Sequence, residues 1–332
     1  MAVSVDSFSL VINELLPVLR RLEEILAIVG LFYIGKVGLN TLWDLGFGFR
    51  SHIYSRLWRK KFVQRFGKWA VVTGCTDGIG RCYAEELAKE GLNIVLISRN
   101  IDKLKRVAAE LGSKYKIDTE IVQVDFSDGL PIYSKIEKHL QDKEIGMLIN
   151  NVGVMLPYPK YFTNVTESEL WSHINVNMAS VCAMTKLILP QMVNRGKGAI
   201  VNIASIAGAG AIPLMGIYAA SKAFVDRFSQ ALEYEYGSKG ITIQTVNPSY
   251  VATNMTSYSP WIGTANFITP PPSVFVKHAV STIGYAKRTT GYWVHGIQAW
   301  FVEKVFSNWF FTFNMAQAQY FFLKDVKKSH DS

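Results

Sequence analysis

The chain has 332 residues, 49% of them hydrophobic, and a formal charge of +9; its mean hydropathy of +0.14 is high for a soluble enzyme. Its three cysteines, Cys75, Cys82 and Cys182, are odd in number and show neither a paired framework nor metal-ligand spacing, which argues against a disulfide scaffold or a metal centre and suits a reducing compartment. Nucleic acid is not the expected partner of the basic surplus: no such motif is present, and much of the charge gathers in Arg56, Arg59, Lys60, Lys61, Arg65 and Lys68, directly behind an apolar stretch.

That stretch is unbroken from Ile25 to Gly35 and continues past Lys36 to Trp43, about the 20 residues a bilayer helix needs. Lys36 and Asn40 leave a spanning helix, a hairpin and an in-plane anchor open, with a helix buried on the rest of the protein as the non-membrane alternative. A membrane surface or bilayer is the expected anionic partner, and the basic flank puts the remainder of the chain on the cytosolic or equivalent inner side. No small-residue cleavage site lies beyond the apolar core, and Glu14, Glu23 and Glu24 precede it, so a signal peptide is not expected. On that orientation the acceptor patterns at Asn164 and Asn254 go unused.

From Trp69 to Thr73 an apolar run predicts a strand; a glycine-spaced turn, a helix from Gly80 to Glu90 and a second strand from Asn93 to Ser98 complete a βαβ unit. Further β-like runs occur at Glu120 to Val124, Met147 to Asn150, Ala199 to Ile203 and Thr242 to Val246, with amphipathic helical stretches between them. The alternation predicts an α/β fold, a Rossmann-type doubly wound parallel sheet with an N-terminal membrane-associated helical segment. We expect an anchor and basic linker over 1–66, the Rossmann domain over 67–290 and a helical tail over 291–332. The tail is crowded with aromatics, among them Trp300, Phe306, Trp309, Phe311 and Phe322. They suit a lipid headgroup layer, a substrate tunnel or an oligomer contact.

The turn Thr73-Gly74-Cys75-Thr76-Asp77-Gly78-Ile79-Gly80 succeeds a strand and opens a helix, where backbone approaches a pyrophosphate and helix N-terminal amides receive its charge. Gly74, Thr76, Asp77, Gly78, Ile79 and Gly80 are therefore candidate cofactor residues, and Cys75 a small filler. The second strand ends in Ser98-Arg99 with no acid. A guanidinium there accepts a 2′-phosphate that a carboxylate repels, so NADP(H) is the expected cofactor, with Asn100 and Lys103 able to share the work. Asp125, after the third strand, is a candidate for the adenine amine; Asn151 and Gly153, after the fourth, pass the ribose closely. Downstream, Tyr218 and Lys222 stand four residues apart on one predicted helix face. An ammonium beside a phenol lowers its pKa from ~10 toward the range of a useful acid. The pair and the glycine turn together imply nicotinamide-dependent carbonyl chemistry.

In order, Thr73-Gly74-x-x-x-Gly78-x-Gly80, Asn150-Asn151-x-Gly153, Asn177, Ser205, Tyr218-x-x-x-Lys222 and Asn247-Pro248 resemble the short-chain dehydrogenase/reductase family over about 68 to 287. Leu-Ile-Ser-Arg-Asn and Ile-Asn-Val-Asn-Met look like its 17β-hydroxysteroid dehydrogenase and very-long-chain 3-oxoacyl-CoA reductase branch. The resemblance implies that Tyr218 donates a proton to the substrate oxygen, Lys222 tunes it and holds the nicotinamide ribose, and Ser205 hydrogen-bonds the carbonyl. It further implies that Asn177, favoured over Asn175, supports the lysine through water. Many relatives have Pro-Gly where this chain has Pro248-Ser249; Val251 and Thr253 are the implied carboxamide contacts. Within that branch, members whose catalytic tyrosine is replaced are considered inactive, and this chain departs from them by keeping Tyr218. A homodimer through the helices carrying Asn177 and Tyr218 is usual in the family.

The leading expectation is NADP(H)-dependent reduction of a hydrophobic ketone, a steroid or a long-chain 3-oxoacyl thioester, on an intracellular membrane of the endoplasmic reticulum or mitochondrion. The alternative is a membrane-held nucleotide-binding protein of little activity, and a weaker third is a membrane-shaping role for the N-terminal segment. Substrate selection falls in Tyr258 to Val276, where no motif is readable.

Overall fold

In the computed structural model, which describes residues 2–57, 61–257 and 259–331, one sheet is built from Trp69–Thr73 (β1), Asn93–Ser98 (β2), Thr119–Gln123 (β3), Ile145–Asn150 (β4), Gly198–Ile203 (β5), Ile241–Val246 (β6) and Arg288–Thr289 (β7). Arg59, Lys60 and Tyr258 lie outside the described residues. All strands are parallel, in the order β3-β2-β1-β4-β5-β6-β7. The order reverses between β1 and β4, the switch point at which doubly wound folds bind ligands. Six strands match the expected runs to within two residues at their ends. The two-residue β7 is new, held to β6 by the Asn247 N–H donating to the Thr289 carbonyl at 2.7 Å.

The apolar runs look continuous because both faces of the sheet are covered. Ala70, Val72, Ile94 and Leu96 face one core, with Leu87, Leu104 and Phe275 from the helices Gly78–Lys89, Ile101–Tyr115 and Pro272–Ser281. Val71, Val95 and Ile97 face the other, with Ile136, Met184 and Leu232 from Ile132–Leu140, Ser180–Arg195 and Gly216–Tyr236. This alternation fixes strand register, since a slip of one residue would swap the faces.

By packing, the chain divides into two units, Met1–Arg50 and Ser51–Ser332. The first is the helix Ala2–Phe49, 48 residues without a hairpin turn, about 70 Å long at 1.5 Å per residue. Exposed Leu26, Leu31, Phe32 and Trp43 leave its stretch from 25 to 43 largely apolar around its circumference. Its greater part belongs to a span, Leu15–Leu57, long and apolar enough to cross a membrane. A second stretch, Glu167–Arg195, passes the same length and composition test, but half of it is buried in the core. In the second unit Phe62 and Phe66 enter the core, while Arg56 hydrogen-bonds His278 and the Arg65 guanidinium lies 4.9 Å over the Phe66 ring. Part of the basic cluster is thus folded onto the domain.

Candidate active site

Six strand ends and the C-terminal helices surround one cleft of about 810 Å³, a size typical of sites for drug-sized ligands. Its lining includes Gly74, Thr76, Asp77, Gly78, Ile79, Arg99, Asp125, Asn151, Gly153, Ser205, Tyr218, Lys222, Val251 and Thr253. Of the residues expected at the site, Gly80 and Asn177 stand outside that lining.

Gly74 has φ +65°, a left-handed turn that favours glycine. The chain then enters the helix Gly78–Lys89, whose first N–H is accepted by the Asp77 carboxylate at 2.7 Å. Asn151 fastens this turn to the end of β4: its side-chain N–H groups donate to the carbonyls of Thr73 at 3.0 Å and Gly74 at 3.1 Å. Gly80 serves packing instead of ligand contact, because a Cβ there would run into the Asn151 amide and the Gly74 carbonyl. Cys75 is buried, and burial pushes its thiol up to about 12, so it is an inert filler.

Arg99 is 76% exposed at the rim, its guanidinium 3.8 Å from the Asp125 carboxylate. Burial opposes the Asp125 charge, but the Ser127 N–H and hydroxyl, at 2.9 and 2.7 Å, and Arg99 hold the carboxyl below its ordinary range. Lys103 adds a second cation 4.0 Å from Asp77. The loop after β6 closes on the turn from above: Asn254 hydrogen-bonds Asp77, and the Thr253 methyl lies where a Cβ on Gly78 would touch it at 3.3 Å. Buried His295 holds that loop, accepting the Ser249 N–H at 3.3 Å and facing the Ile268 carbonyl at 3.1 Å. Burial pushes its imidazole down to about 4, so it is neutral.

Tyr218 sits in the first turn of Gly216–Tyr236 and Lys222 in the next. Ser205 comes just after β5, caps a short turn by accepting the Ala207 N–H at 3.1 Å, and hydrogen-bonds the Tyr218 hydroxyl. It is both a turn serine and a neighbour of the phenol. Lys222 is 5% exposed and donates to the Ile203 carbonyl at 3.0 Å, its Nζ 5.8 Å from the centre of the Tyr218 ring. Burial drives the ammonium down to about 8. The expected lowering of the tyrosine is not what the structure shows: burial pushes Tyr218 up to about 12, against the opposing Ser205 hydrogen bond. Sequence spacing gives proximity, but it says nothing of how deeply the Lys222 ammonium is buried or that the Tyr218 phenol stands half-buried in the cleft wall.

Asn177 lies in a widened π-helical turn, His173–Ala179, and spends its amide on structure. It accepts the Val154 N–H at 2.7 Å, donates to the Val154 carbonyl at 2.9 Å and to Ser221 at 3.0 Å. No direct bond joins it to Lys222, although a Cβ on Gly153 would lie 3.5 Å from both its Oδ1 and the Lys222 Nζ. Asn175 instead donates to the Ser127 carbonyl.

Several lining residues escape a reading of the sequence. Tyr250, whose phenol burial pushes up, is a second phenol in the cleft, within a stretch where only Val251 and Thr253 are expected contacts. Phe311, Met315 and Gln319 line it from the helix Asn308–Asp331, and Gln298 and Val302 from the preceding segment. The only sequence signal is their four-residue spacing. The aromatic tail therefore has two sides: Phe311 and Phe322 are buried, whereas Trp309 is 72% exposed.

The pattern of the short chain dehydrogenase family matches residues 68–260. The chain is 48% identical over 301 residues to inactive hydroxysteroid dehydrogenase-like protein 1 of Pongo abelii, covering 90% of this chain and 91% of that one. It is 46% identical over 269 residues to very-long-chain 3-oxoacyl-CoA reductase of Macaca fascicularis, covering 79% and 84%. Among solved structures, a short-chain dehydrogenase from Sphingobium yanoikuyae in complex with NADPH superposes with a TM-score of 0.59 at 30% identity, covering 64% of this chain and 82% of that one.

Proposed function

The chain belongs to the short-chain dehydrogenase family, and from that premise we propose that it reduces a ketone on a hydrophobic substrate at the expense of NADPH. The observation that carries this reading is the convergence of Tyr218, Ser205 and Lys222 on the same cleft as the glycine turn. A dinucleotide suits that cleft: helix N-terminal amides and the small Gly74, Gly78 and Gly153 leave room for a diphosphate and ribose, with Arg99 and Lys103 at the adenosine end. When bound, the nicotinamide supplies a hydride to the carbonyl carbon.

The residues of the chain manage the oxygen. Ser205 and Tyr218 hold it by hydrogen bonds, and Tyr218 gives its proton as charge develops there, leaving a secondary alcohol. A phenol raised to about 12 keeps that proton at physiological pH and so has it to give. The developing alkoxide is a far stronger base than a phenolate, so the transfer runs downhill. Lys222, its Nζ 5.8 Å from the centre of the Tyr218 ring, is the positive charge nearest along the helix to the resulting phenolate. We place the enzyme on an intracellular membrane through its N-terminal helix, with the apolar tail facing lipid or substrate.

Two outcomes test the assignment. With Arg99→Asp, KM for NADPH should rise at least about tenfold while NADH use improves, because a carboxylate repels the 2′-phosphate; unchanged preference would remove Arg99 from the phosphate site. Lys222 is charged below about pH 8 and loses its proton above it. Accordingly kcat/KM for the cofactor, which reports the free protein, should fall about tenfold per pH unit above 8. A flat profile to pH 9 would show that the ammonium is not required.

A second reading, a nucleotide-binding protein without turnover, is favoured by the word inactive in the name of the Pongo abelii relative. It predicts NADPH binding with no cofactor oxidation across ketosteroids and 3-oxoacyl thioesters.

A further inference from the structure

The C-terminal segment lines the cleft with Gln298, Val302, Phe311, Met315 and Gln319, apolar except for two amides. Leu156, Ile212, Met215 and Phe311 form a small separate core against which Tyr218, Val302 and Met315 pack. Gln319 stands on the same stripe of its helix as Phe311 and Met315, eight and four residues on, and only 3% of it is exposed. Its Oε1 is buried without a hydrogen-bond partner, and so is the Oε1 of Gln298 on the preceding helix Trp293–Trp300. Both glutamines line the cleft. A buried amide oxygen without a partner is costly, and a site that holds one discriminates sharply for ligands that satisfy it.

We propose, resting on the reductase reading of this same cleft, that Gln319, aided by Gln298, is a specificity-determining pair that recognises a second hydrogen-bonding group at the far end of the substrate. Phe311 lies against Gly210, just beyond the turn that Ser205 opens. Gln319 is two helical turns further along, about 12 Å at 1.5 Å per residue. The substrate is therefore an extended apolar body with its reactive ketone at Tyr218 and a hydroxyl or an amide at the other end. A carboxamide both donates and accepts, so either group satisfies it. A hydroxylated ring system and the amide-bearing arm of an acyl thioester share this chemistry.

The experiment uses the full chain in detergent, saturated with NADPH, and measures both equilibrium binding and kcat/KM. The probes are a ketosteroid with a remote hydroxyl, its deoxy analogue, a 3-oxoacyl pantetheine thioester and the corresponding 3-oxoacyl ethyl ester. The intact protein should prefer one polar member over its partner by about ten- to hundredfold in affinity, and which pair shows the preference identifies the source. Gln319→Leu should abolish that ratio while leaving affinity for the apolar member within about threefold. The same substitution should raise the melting temperature, since it removes an unsatisfied buried amide; a fall would show that the amide is structural and overturn the proposal. Gln298→Leu, on a different element, should reduce the ratio in part. Equal affinity within both pairs, no binding of any probe, or an unchanged ratio in Gln319→Leu overturns it. An intact affinity ratio without turnover supports the recognition pair and overturns the reductase reading instead.

Discussion

Replacing Tyr218 by Phe should lower kcat for ketone reduction by about a thousandfold, close to 4 kcal/mol of transition-state stabilisation, while the affinity for NADPH stays within about threefold. The ring keeps its packing against Ala219, Met215 and their neighbours, so only the proton and the hydrogen bond with Ser205 are lost. The carbonyl oxygen would then have to take its proton from water or from Ser205, whose ordinary hydroxyl is a much poorer acid. Stopped-flow measurement of cofactor oxidation separates this from slow product release. Residual activity above about one tenth would mean that another group, Tyr250 being the nearest in kind, supplies the proton.

Gly80→Ala should damage the cofactor site without touching a cofactor contact. The added methyl meets the Gly74 backbone carbonyl and the Asn151 side-chain amide, which its hydrogen bonds to the Thr73 and Gly74 carbonyls hold in place. Overpacking of this sort costs about 1–3 kcal/mol or more. The melting temperature should therefore fall, and the Kd for NADPH should rise more than tenfold as the turn is pushed out of shape. Normal NADPH affinity in the folded variant would show that the fastening of the turn by Asn151 does not matter to binding.

The sheet was legible because its strands are short apolar runs bounded by turn residues, and burial on both faces leaves them little else to be. β7 was not, since two residues carry no periodicity and pair only because β6 is already in place. Tyr218, Lys222 and the glycine turn could be read from spacing, which fixes direction along a helix. Their protonation could not: the rise at Tyr218 and the fall at Lys222 come from the apolar surroundings of the cleft wall, a property of the assembled domain. For Gly80 and Asn177 the positions were readable and the contacts were not, because both act through hydrogen bonds or close packing with segments far away in sequence. Gln319 shares only a four-residue spacing with Phe311 and Met315, which does not say that this stripe is the buried one; which stripe of a helix turns inward depends on what it meets.

The two sides of the cleft are held by different forces. On the side of the glycine turn, Asn151 and Asn254 stitch loops together with directional bonds. The side facing Tyr218 is closed by greasy contact with the C-terminal helices. Greasy contacts tolerate exchange of one bulky residue for another, and directional stitches do not. A lineage could therefore reshape that side of the cleft by altering its C-terminal helices, leaving the Tyr218–Lys222 pair and the glycine turn untouched.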